Sequence, residues 1–364
     1  MKLKEIIACF DEIAPFSLQE SYDNSGLQLG NPLKEINSAL ICIDVTENVI
    51  TEAVKKECNL VISHHPLIFG GIKRITGQTM TERIIEQAIR NDIAILSVHT
   101  NADAVIQGVN SKICDKLGLV NRKILSPVEG KLLKLAFFVP AADAEKVRNA
   151  VFSAGAGVIG NYDSCSFNLQ GEGSFRAGEE ANPHVGEIGN IHFEKETRVE
   201  TILPAHLKNR ILSALLSAHP YEEVAFDLYP LENSWEQAGM GMTGEFEEEM
   251  EEHDFLNALK AVFNAGCIKY TSLLNRKIKK VAICGGSGSF LLGKAISSKS
   301  DAFVTGDFKY HQFFEAEGKI LIADIGHYES EQFTKELFYE YLTKKFPKFA
   351  VRLSEVNTNP INYL

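Results

Sequence analysis

Long apolar runs are absent from this sequence. No stretch reaches the roughly 18 consecutive apolar residues of a transmembrane helix, and residues 1–5 begin an amphipathic helix instead of a signal peptide. We therefore expect a cytoplasmic protein. Apolar residues make up 45% and charged residues 23% of the 364, which is ordinary for a globular chain with room for two full hydrophobic cores.

Paired cysteines are also absent. The seven cysteines are odd in number and never form a C-x-x-C pair, so neither a disulfide framework nor a structural zinc knuckle is expected. We predict that they are reduced thiols in the core. They are Cys9, Cys42, Cys58, Cys114, Cys165, Cys267 and Cys284.

An excess of basic residues is the third absence. The chain has 37 Lys and Arg against 48 Asp and Glu, a net charge of −11. Because no overall basic field would release counterions from a duplex, strong sequence-independent binding to nucleic acid is not expected. A local basic pocket for a nucleotide is compatible with this charge.

Strands and helices alternate from residue 38 onward. A helix at 3–13 comes first, and the turn-rich segment 22–30 is either a connector or a loop that lines a site. The apolar pattern then predicts strands at 39–45, 60–62 and 93–98, with helices at about 47–57, 81–91 and 107–117. Strand–helix units of this length predict a mostly parallel sheet covered on both faces.

A similar series returns near the C-terminus, with strands at 280–284, 302–305 and 320–325. Both series are β-α-β-α-β-α, so two similar α/β halves that face one site are expected, although identity between them is too low to prove duplication. The acidic run 245–254 is predicted to be a solvated helix start in preference to a metal trap, since negative charge suits a helix N-terminus.

The middle segment, 130–234, has a different pattern. Predicted there are a strand at 132–139, a helix at 143–154, hairpins within 158–203, a helix at 205–218 and a strand at 224–229. Two β-α-β halves in about a hundred residues indicate a ferredoxin-like α+β domain. The predicted fold class is therefore α/β, with 1–129 and 235–364 as the halves of the core and 130–234 inserted between them.

Two adjacent histidines, His64 and His65, end the apolar strand at 60–62 and are followed by Pro66. Proline has no N–H to donate, so the strand becomes a loop here, where open α/β sheets place their chemistry. Neighbouring side chains on a strand point to opposite faces, so the pair serves one compact site most easily if the backbone turns or if the two histidines bind different ions. A helix cap or a packed pair is the alternative.

Two further strand ends carry residue types that bind metals. The last strand of the first series is followed by His99 and Asp103, and the last strand of the second series is followed by His327 and Glu331. His327 and Glu331 are four apart and share a helix face if the helix has begun by Tyr328. Taken singly, Asp103 could cap a helix and the other pair could be a surface interaction. Their joint occurrence at one end of parallel strands predicts a shared site.

Three imidazoles and two carboxylates are enough to hold two divalent ions, each with an open position. The predicted ligands are His64, His65, Asp103, His327 and Glu331. Either Glu331 or Asp103 would be the bridge, since a carboxylate can give one oxygen to each metal. Ions held about 3.5–4 Å apart could share a hydroxide and clamp the oxygens of a reacting group. The donor set accepts zinc, manganese, iron, cobalt or nickel.

Other residues are candidates for supporting roles. His99 could hydrogen-bond a ligand or substrate, or be a satisfied histidine at a strand end. Asp307 and His311 follow the turn at 305–306 and are candidates for orienting a ligand or for acid–base catalysis. The loop 285–288 could cradle phosphate on its backbone N–H groups, with tight packing as the alternative.

Six stretches of the chain resemble the NIF-three-like family, whose members carry the label GTP cyclohydrolase 1 type 2 homologues. They are spread in order along almost the whole chain: Tyr22-Asp23-Asn24-Ser25-Gly26-Leu27, Ser63-His64-His65-Pro66, His99-Thr100-Asn101-Ala102-Asp103, His219-Pro220-Tyr221-Glu222-Glu223, Val304-Thr305-Gly306-Asp307 and Gly326-His327-Tyr328-Glu329-Ser330-Glu331. The resemblance implies a dinuclear metal site made by the five predicted ligands and an inserted domain similar to PII-type signalling and CutA-type proteins. It also implies a ring-shaped homohexamer with the metal sites facing an inner cavity.

These observations predict a metal-dependent hydrolase in which two ions lower the pKa of a bridging water. The family label implies GTP as the substrate and a bond in the imidazole ring of guanine as the target, while a nucleotide phosphoesterase would use the same ions. The non-enzymatic alternative is a metal-binding regulatory or scaffold protein whose inserted domain senses a small molecule. The expected partners are a nucleotide and other copies of the chain, with no membrane partner.

Overall fold

The computed structural model describes residues 1–364, which form two compact units. The larger contains residues 1–127 and 237–364, and the smaller contains residues 128–236. The predicted insert, 130–234, lies inside the smaller unit. No helix of the protein has both the length and the apolar character that crossing a membrane requires.

The first stretch of the larger unit alternates strands with helices. Its elements are α1 (Leu3–Ile13), β1 (Gly26–Leu29), β2 (Ser38–Cys42), α2 (Glu47–Lys55), β3 (Leu60–Ser63), α3 (Met80–Arg90), β4 (Ala94–Ser97), α4 (Thr100–Ala104), α5 (Val109–Leu117) and β5 (Val120–Val128). The Thr46 and Thr79 hydroxyls cap α2 and α3 by accepting from backbone N–H groups of the first turn. Gly118 ends α5 with a left-handed φ of 70°.

The smaller unit has the order β-α-β-β-α-β. Its elements are β6 (Leu132–Pro140), α6 (Ala144–Ser153), β7 (Ser166–Arg176), β8 (Ile191–Pro204), α7 (Lys208–Ala218) and β9 (Phe226–Leu231). The strands form one antiparallel sheet in the order β7-β8-β6-β9, which is the predicted ferredoxin-like arrangement. Alternate sheet residues such as Phe137, Val139 and Val199 pack with Val147 of α6 and Ile211 of α7 to form its core.

The last stretch returns to the larger unit and corrects one expectation. Its elements are β10 (Trp235–Met250), α8 (Glu252–Val262), β11 (Lys269–Tyr270), β12 (Ile278–Ser287), α9 (Leu292–Ser297), β13 (Ala302–Gly306), β14 (Leu321–Asp324), α10 (His327–Glu331), α11 (Thr334–Lys345) and β15 (Ala350–Leu353). The helix start predicted over 245–254 is wrong for its first half. Glu245 and Met250 pair with β12, so the strand continues through most of the acidic run and α8 begins only at Glu252.

Two sheets form the larger unit, in the orders β1-β4-β3-β2-β15 and β11-β14-β13-β12-β10-β5. Each contains three parallel strands, β2 to β4 and β12 to β14, next to an antiparallel edge strand. The two sheets therefore share the predicted pattern. The halves also exchange strands, because β15 pairs with β2 of the first sheet and β5 lies beside β10 of the second. β2, β3, β4, β13 and β14 are wholly buried, as parallel strands covered on both faces should be.

All seven cysteines are free thiols. Five of them are buried, as predicted, whereas Cys165 is partly exposed and Cys267 is exposed. The expectation that all seven lie in the core is wrong for these two. No disulfide contributes to the stability of either unit.

Candidate metal centre

His64 and His65 lie side by side because the backbone turns at the end of β3. Their N–H groups both donate to the end of β2, to the carbonyls of Cys42 (3.2 Å) and Ile43 (3.0 Å), which breaks the alternation of a regular strand. The imidazole centroids are 4.9 Å apart. The turn thus brings two adjacent residues to one site.

The other predicted ligands come from two short helices. Asp103 is buried in α4, which begins after β4, and His327 and Glu331 stand one turn apart in α10, after β14. The His327 Nε2 lies 3.2 Å from the Glu331 Oε2, so the pair shares a helix face as its spacing indicates. The carboxyl ends of β3 and β4 in the first sheet and of β14 in the second therefore supply all five side chains.

Glu331 lies between two groups of nitrogen and oxygen atoms. Its Oε2 is 3.0 Å from the His65 Nε2, and its Oε1 is 3.6 Å from the His64 Nε2. The Asp103 Oδ1 is 3.7 Å from the same His64 nitrogen. Three groups of side chains have their donor atoms within 4.8 Å of one another. One is made of imidazoles alone, His64, His65 and His99, and the other two are triads with a carboxylate, His65–His327–Glu331 and His64–Asp103–Glu331. Glu331 is the carboxylate that both triads contain.

The donor atoms at this centre fit metal ions. The His64 Nε2, Asp103 Oδ1 and Glu331 Oε2 are buried without a hydrogen-bond partner, although Oε2 is close to two imidazoles. The Nε2 atoms of His65 and His327 lie 3.3 Å apart. Buried polar atoms are normally satisfied, and imidazole with carboxylate is a donor set of zinc, manganese, iron, cobalt and nickel.

The electrostatics of the centre also favour added positive charge. Burial and the Glu331 carboxylate raise the pKa of Asp103 to about 7. Although burial opposes it, hydrogen bonds with carboxylates raise the pKa of His65 to about 10 and that of His327 to about 11. Burial also opposes the shift at Glu331, but the His64 and His327 imidazoles hold the pKa of its carboxyl well below the ordinary value. Divalent cations supply the positive charge that these carboxylates attract.

Each of the three imidazoles is oriented by an acceptor behind it. The His65 Nδ1 donates to Asp44 (2.8 Å), the His327 Nδ1 donates to Asp307 (2.7 Å) and the His64 Nδ1 donates to a backbone carbonyl. All three rings therefore present Nε2 to the centre, as metal-bound histidines do. Asp307 was predicted as an orienting or acid–base candidate. Asp44 was missed because the predicted strand 39–45 contains it, whereas β2 ends at Cys42 and leaves Asp44 just after the strand end.

His99 forms a pair with Asp23. Its Nδ1 lies 2.8 Å from the Asp23 Oδ1, and its ring centroid is 5.2 Å from those of His64 and His65. Asp23 is buried and also accepts hydrogen bonds from Ser25 and from the residue after His99. Although burial opposes it, these bonds hold the pKa of Asp23 well below its ordinary value. Segment 22–30 thus lines the site at its start, while its end forms β1.

Two other predicted site elements, His311 and segment 285–288, do not contribute to the triads. His311 packs against the rings of Tyr310 and Phe314 and belongs to neither triad. The predicted loop 285–288 is mostly strand, because β12 continues to Ser287. The N–H groups of Gly285, Gly286 and Gly288 donate to side chains of the protein. These amides are therefore not free to cradle a phosphate, and the packing interpretation of this segment is confirmed.

The chain is similar to known proteins over nearly its whole length. The sequence profile of the family described as Duf34/NIF3 (NGG1p interacting factor 3) matches residues 1–360. A GTP cyclohydrolase 1 type 2 homolog from Halalkalibacterium halodurans is 38% identical, with 99% of this chain and 98% of the relative covered. A relative of the same description from Bacillus subtilis is 36% identical, with 99% of this chain and 98% of the relative covered. The crystal structure of a Bacillus cereus protein related to NIF3 is 36% identical and superimposes with a TM-score of 0.88 over 100% of this chain and 99% of that one.

Proposed function

The chain belongs to the Duf34/NIF3 family, and from the geometry of its metal centre we propose that it is a metal-dependent hydrolase that acts on a nucleotide. The observation that carries the proposal is Glu331, a buried carboxylate that both triads contain. A carboxylate in that position can give one oxygen to each of two ions.

The five ligands divide between two ions of the proposed centre. His64, Asp103 and Glu331 would hold one ion, and His65 and His327 would hold the other together with Glu331. When bound, two such ions act as Lewis acids and make a shared water more acidic. The identity of the metal follows from supply, since the donor set accepts several.

The remaining side chains of the centre hold protons and exclude water. Asp44 and Asp307 accept hydrogen bonds from the Nδ1 atoms of His65 and His327, so the Nε2 atom of each ring faces the metal centre. Asp23 holds His99 in the same way, which leaves the His99 Nε2 free to accept a proton from a substrate or to return one. The Phe69 ring packs edge-on against His99 at 5.9 Å and limits solvent there.

A guanine nucleotide is the proposed substrate. Relatives at 36–38% identity carry the name GTP cyclohydrolase 1 type 2 homolog, so GTP is the first nucleotide to test. Hydrolysis would then open the imidazole ring of guanine. A phosphoester bond is the second target to test, because a two-metal centre clamps a phosphoryl group equally well.

We also propose that the protein is cytoplasmic and works as a ring-shaped homohexamer. Exposed aromatic side chains support assembly, because monomeric proteins rarely expose such rings in groups. The Tyr310 and Phe314 rings, with centroids 5.5 Å apart, are 73% and 67% exposed. Sedimentation velocity of the purified protein tests this, and a monomer at micromolar concentration would contradict it.

A turnover screen tests the hydrolase. Purified protein is supplied in turn with zinc, manganese, iron, cobalt or nickel and offered GTP, other nucleotides and phosphoesters. We expect turnover that disappears, together with bound metal, in Glu331→Gln and His64→Ala, and that persists in Glu248→Gln, a matched change of an exposed carboxylate on β10. Full turnover in both ligand variants would overturn the proposal. No turnover despite stoichiometric metal would favour a metal-binding regulatory protein instead.

A further inference from the structure

The segment His219-Pro220-Tyr221-Glu222-Glu223 has no part in the metal centre. It follows α7 in the smaller unit, where α6 and α7 cover one face of the sheet. Phe138 alternates with the core residues Phe137 and Val139 along β6, so its ring lies on the face away from the helices. The segment folds over this second face.

A cavity of about 480 Å³ lies there, which is within the range of small-molecule sites. Its walls include the aromatic rings of Phe138, Phe175 and Tyr221 and the carboxylate of Glu196. The Phe175 and Tyr221 ring centroids are 6.2 Å apart. The Glu222 carboxylate accepts a hydrogen bond from the Asn182 N–H (2.8 Å), which fixes the loop that closes one side.

His219 explains why Tyr221 stands at this cavity. The buried imidazole donates from Nε2 to the Phe138 carbonyl (2.9 Å) and accepts at Nδ1 from the Tyr221 N–H (3.1 Å). It thereby fastens the turn at the end of α7 to the sheet. The buried Tyr221 hydroxyl lies near the Glu196 carboxylate, and burial together with that carboxylate raises the pKa of the hydroxyl.

Glu196 is held in the cavity without a cation. A Cβ atom at Gly173 would lie 2.3 Å from the Glu196 Oε2, so the carboxylate occupies space that only glycine leaves free. Arg198, two residues along the same face, pairs with Glu200 at 2.9 Å and stacks on Phe138 at 5.6 Å. The nearest arginine on this strand is therefore already engaged, and Glu196 forms no ion pair.

The charge around the cavity is negative overall, because Glu196, Glu222 and Glu223 line it against the single guanidinium of Arg176. Aromatic faces and an unpaired carboxylate attract an ammonium group and repel anions. We propose that this cavity binds a small organic cation, with its ammonium group between the Glu196 carboxylate and the Phe175 and Tyr221 rings. This site is separate from the metal-dependent activity and needs neither metal nor turnover.

Isothermal titration of the full-length protein with choline and with benzyltrimethylammonium tests the proposal. The neutral probe is 3,3-dimethylbutan-1-ol, which has the shape of choline without its charge. We expect saturable binding of the cations and binding of the alcohol weaker by about tenfold or more. Glu196→Gln should weaken binding of the cations by a similar factor. Glu145→Gln, which changes an exposed carboxylate on α6, should leave their affinity unchanged.

Three results would overturn the cation site. They are no heat from either cation at millimolar concentration, equal binding of the alcohol and choline, and full cation binding in Glu196→Gln. Gly173→Ala gives a second check, since the added Cβ should displace the Glu196 carboxylate and weaken binding of the cations. The far-ultraviolet circular dichroism spectrum should stay unchanged. If this variant does not fold, Glu196→Gln and the alcohol still decide the question.

Discussion

Gly286 lies against the candidate metal centre and offers a test of the position of Glu331 that replaces none of the five candidate ligand residues. Its φ is +63°, and a Cβ there would lie 2.3 Å from the Glu331 Oε1. Ordinary contact begins at 3.4 Å, so the carboxylate would have to withdraw by about 1 Å. The backbone of Gly286 cannot yield instead, because its N–H donates to Ser330 (2.9 Å) and its carbonyl accepts from Thr305 (3.0 Å).

Gly286→Ala should therefore cost both stability and metal affinity. Alanine in the left-handed region costs about 1–2 kcal/mol relative to glycine. Metal sites tolerate only about 0.2 Å of change in ligand distance, so we expect affinity to fall by at least the roughly 10–100-fold that follows loss of an orienting partner. Gly118→Ala is the matched control, since Gly118 has a φ of +70° and no atom within 4 Å of an added Cβ.

The assay combines chemical denaturation with metal titration of both variants. We expect similar losses of unfolding free energy and a loss of metal affinity in Gly286→Ala alone. If Gly286→Ala binds metal as tightly as Gly118→Ala does, Glu331 is not a ligand in the position that the structure gives it.

Three further predictions concern carboxylates. Asp44→Asn should lower metal affinity about 10–100-fold by weakening the orientation of His65, as a competitive chelator titration would show; unchanged affinity would contradict it. Asp23→Asn should leave bound metal unchanged but lower kcat and alter the pH–rate profile through His99, whereas an effect on KM alone would exclude a proton-transfer role. Although burial opposes it, hydrogen bonds lower the pKa of Glu52 below 4.5 and so add stability above that pH that is lost as the pH falls. Glu52→Gln should thus lower the free energy of unfolding at pH 7, and in acid the variant and the wild type should become equally stable. A difference in denaturation midpoint that stays constant with pH would refute this.

Local pattern was sufficient to select the five side chains of the candidate centre. Each follows a buried strand within a few residues, and α/β sheets carry their functional residues at the carboxyl ends of such strands. Because β3 and β4 lie in one sheet and β14 in the other, only the tertiary structure brings the two groups together. The i, i+4 spacing of His327 and Glu331 likewise required only the period of a helix. Such rules depend on neighbours along the chain, which the sequence displays directly.

Other features depended on register and on partners distant in sequence. The acidic run at Glu245 has the composition of a helix start, but pairing with β12 keeps it in a strand. The exchange of β5 and β15 between the sheets leaves no local signal either.

The sequence by itself determined the kind of site, because alternation of strands and helices and the residues at strand ends are local properties. Only the tertiary structure decided that Glu331, not Asp103, belongs to both triads and that Asp23 lies behind His99. It also showed that Gly286 leaves room for a carboxylate. The physical reason is that hydrogen-bond geometry and steric contact are set to within an ångström by packing, and residues far apart in the chain decide that packing.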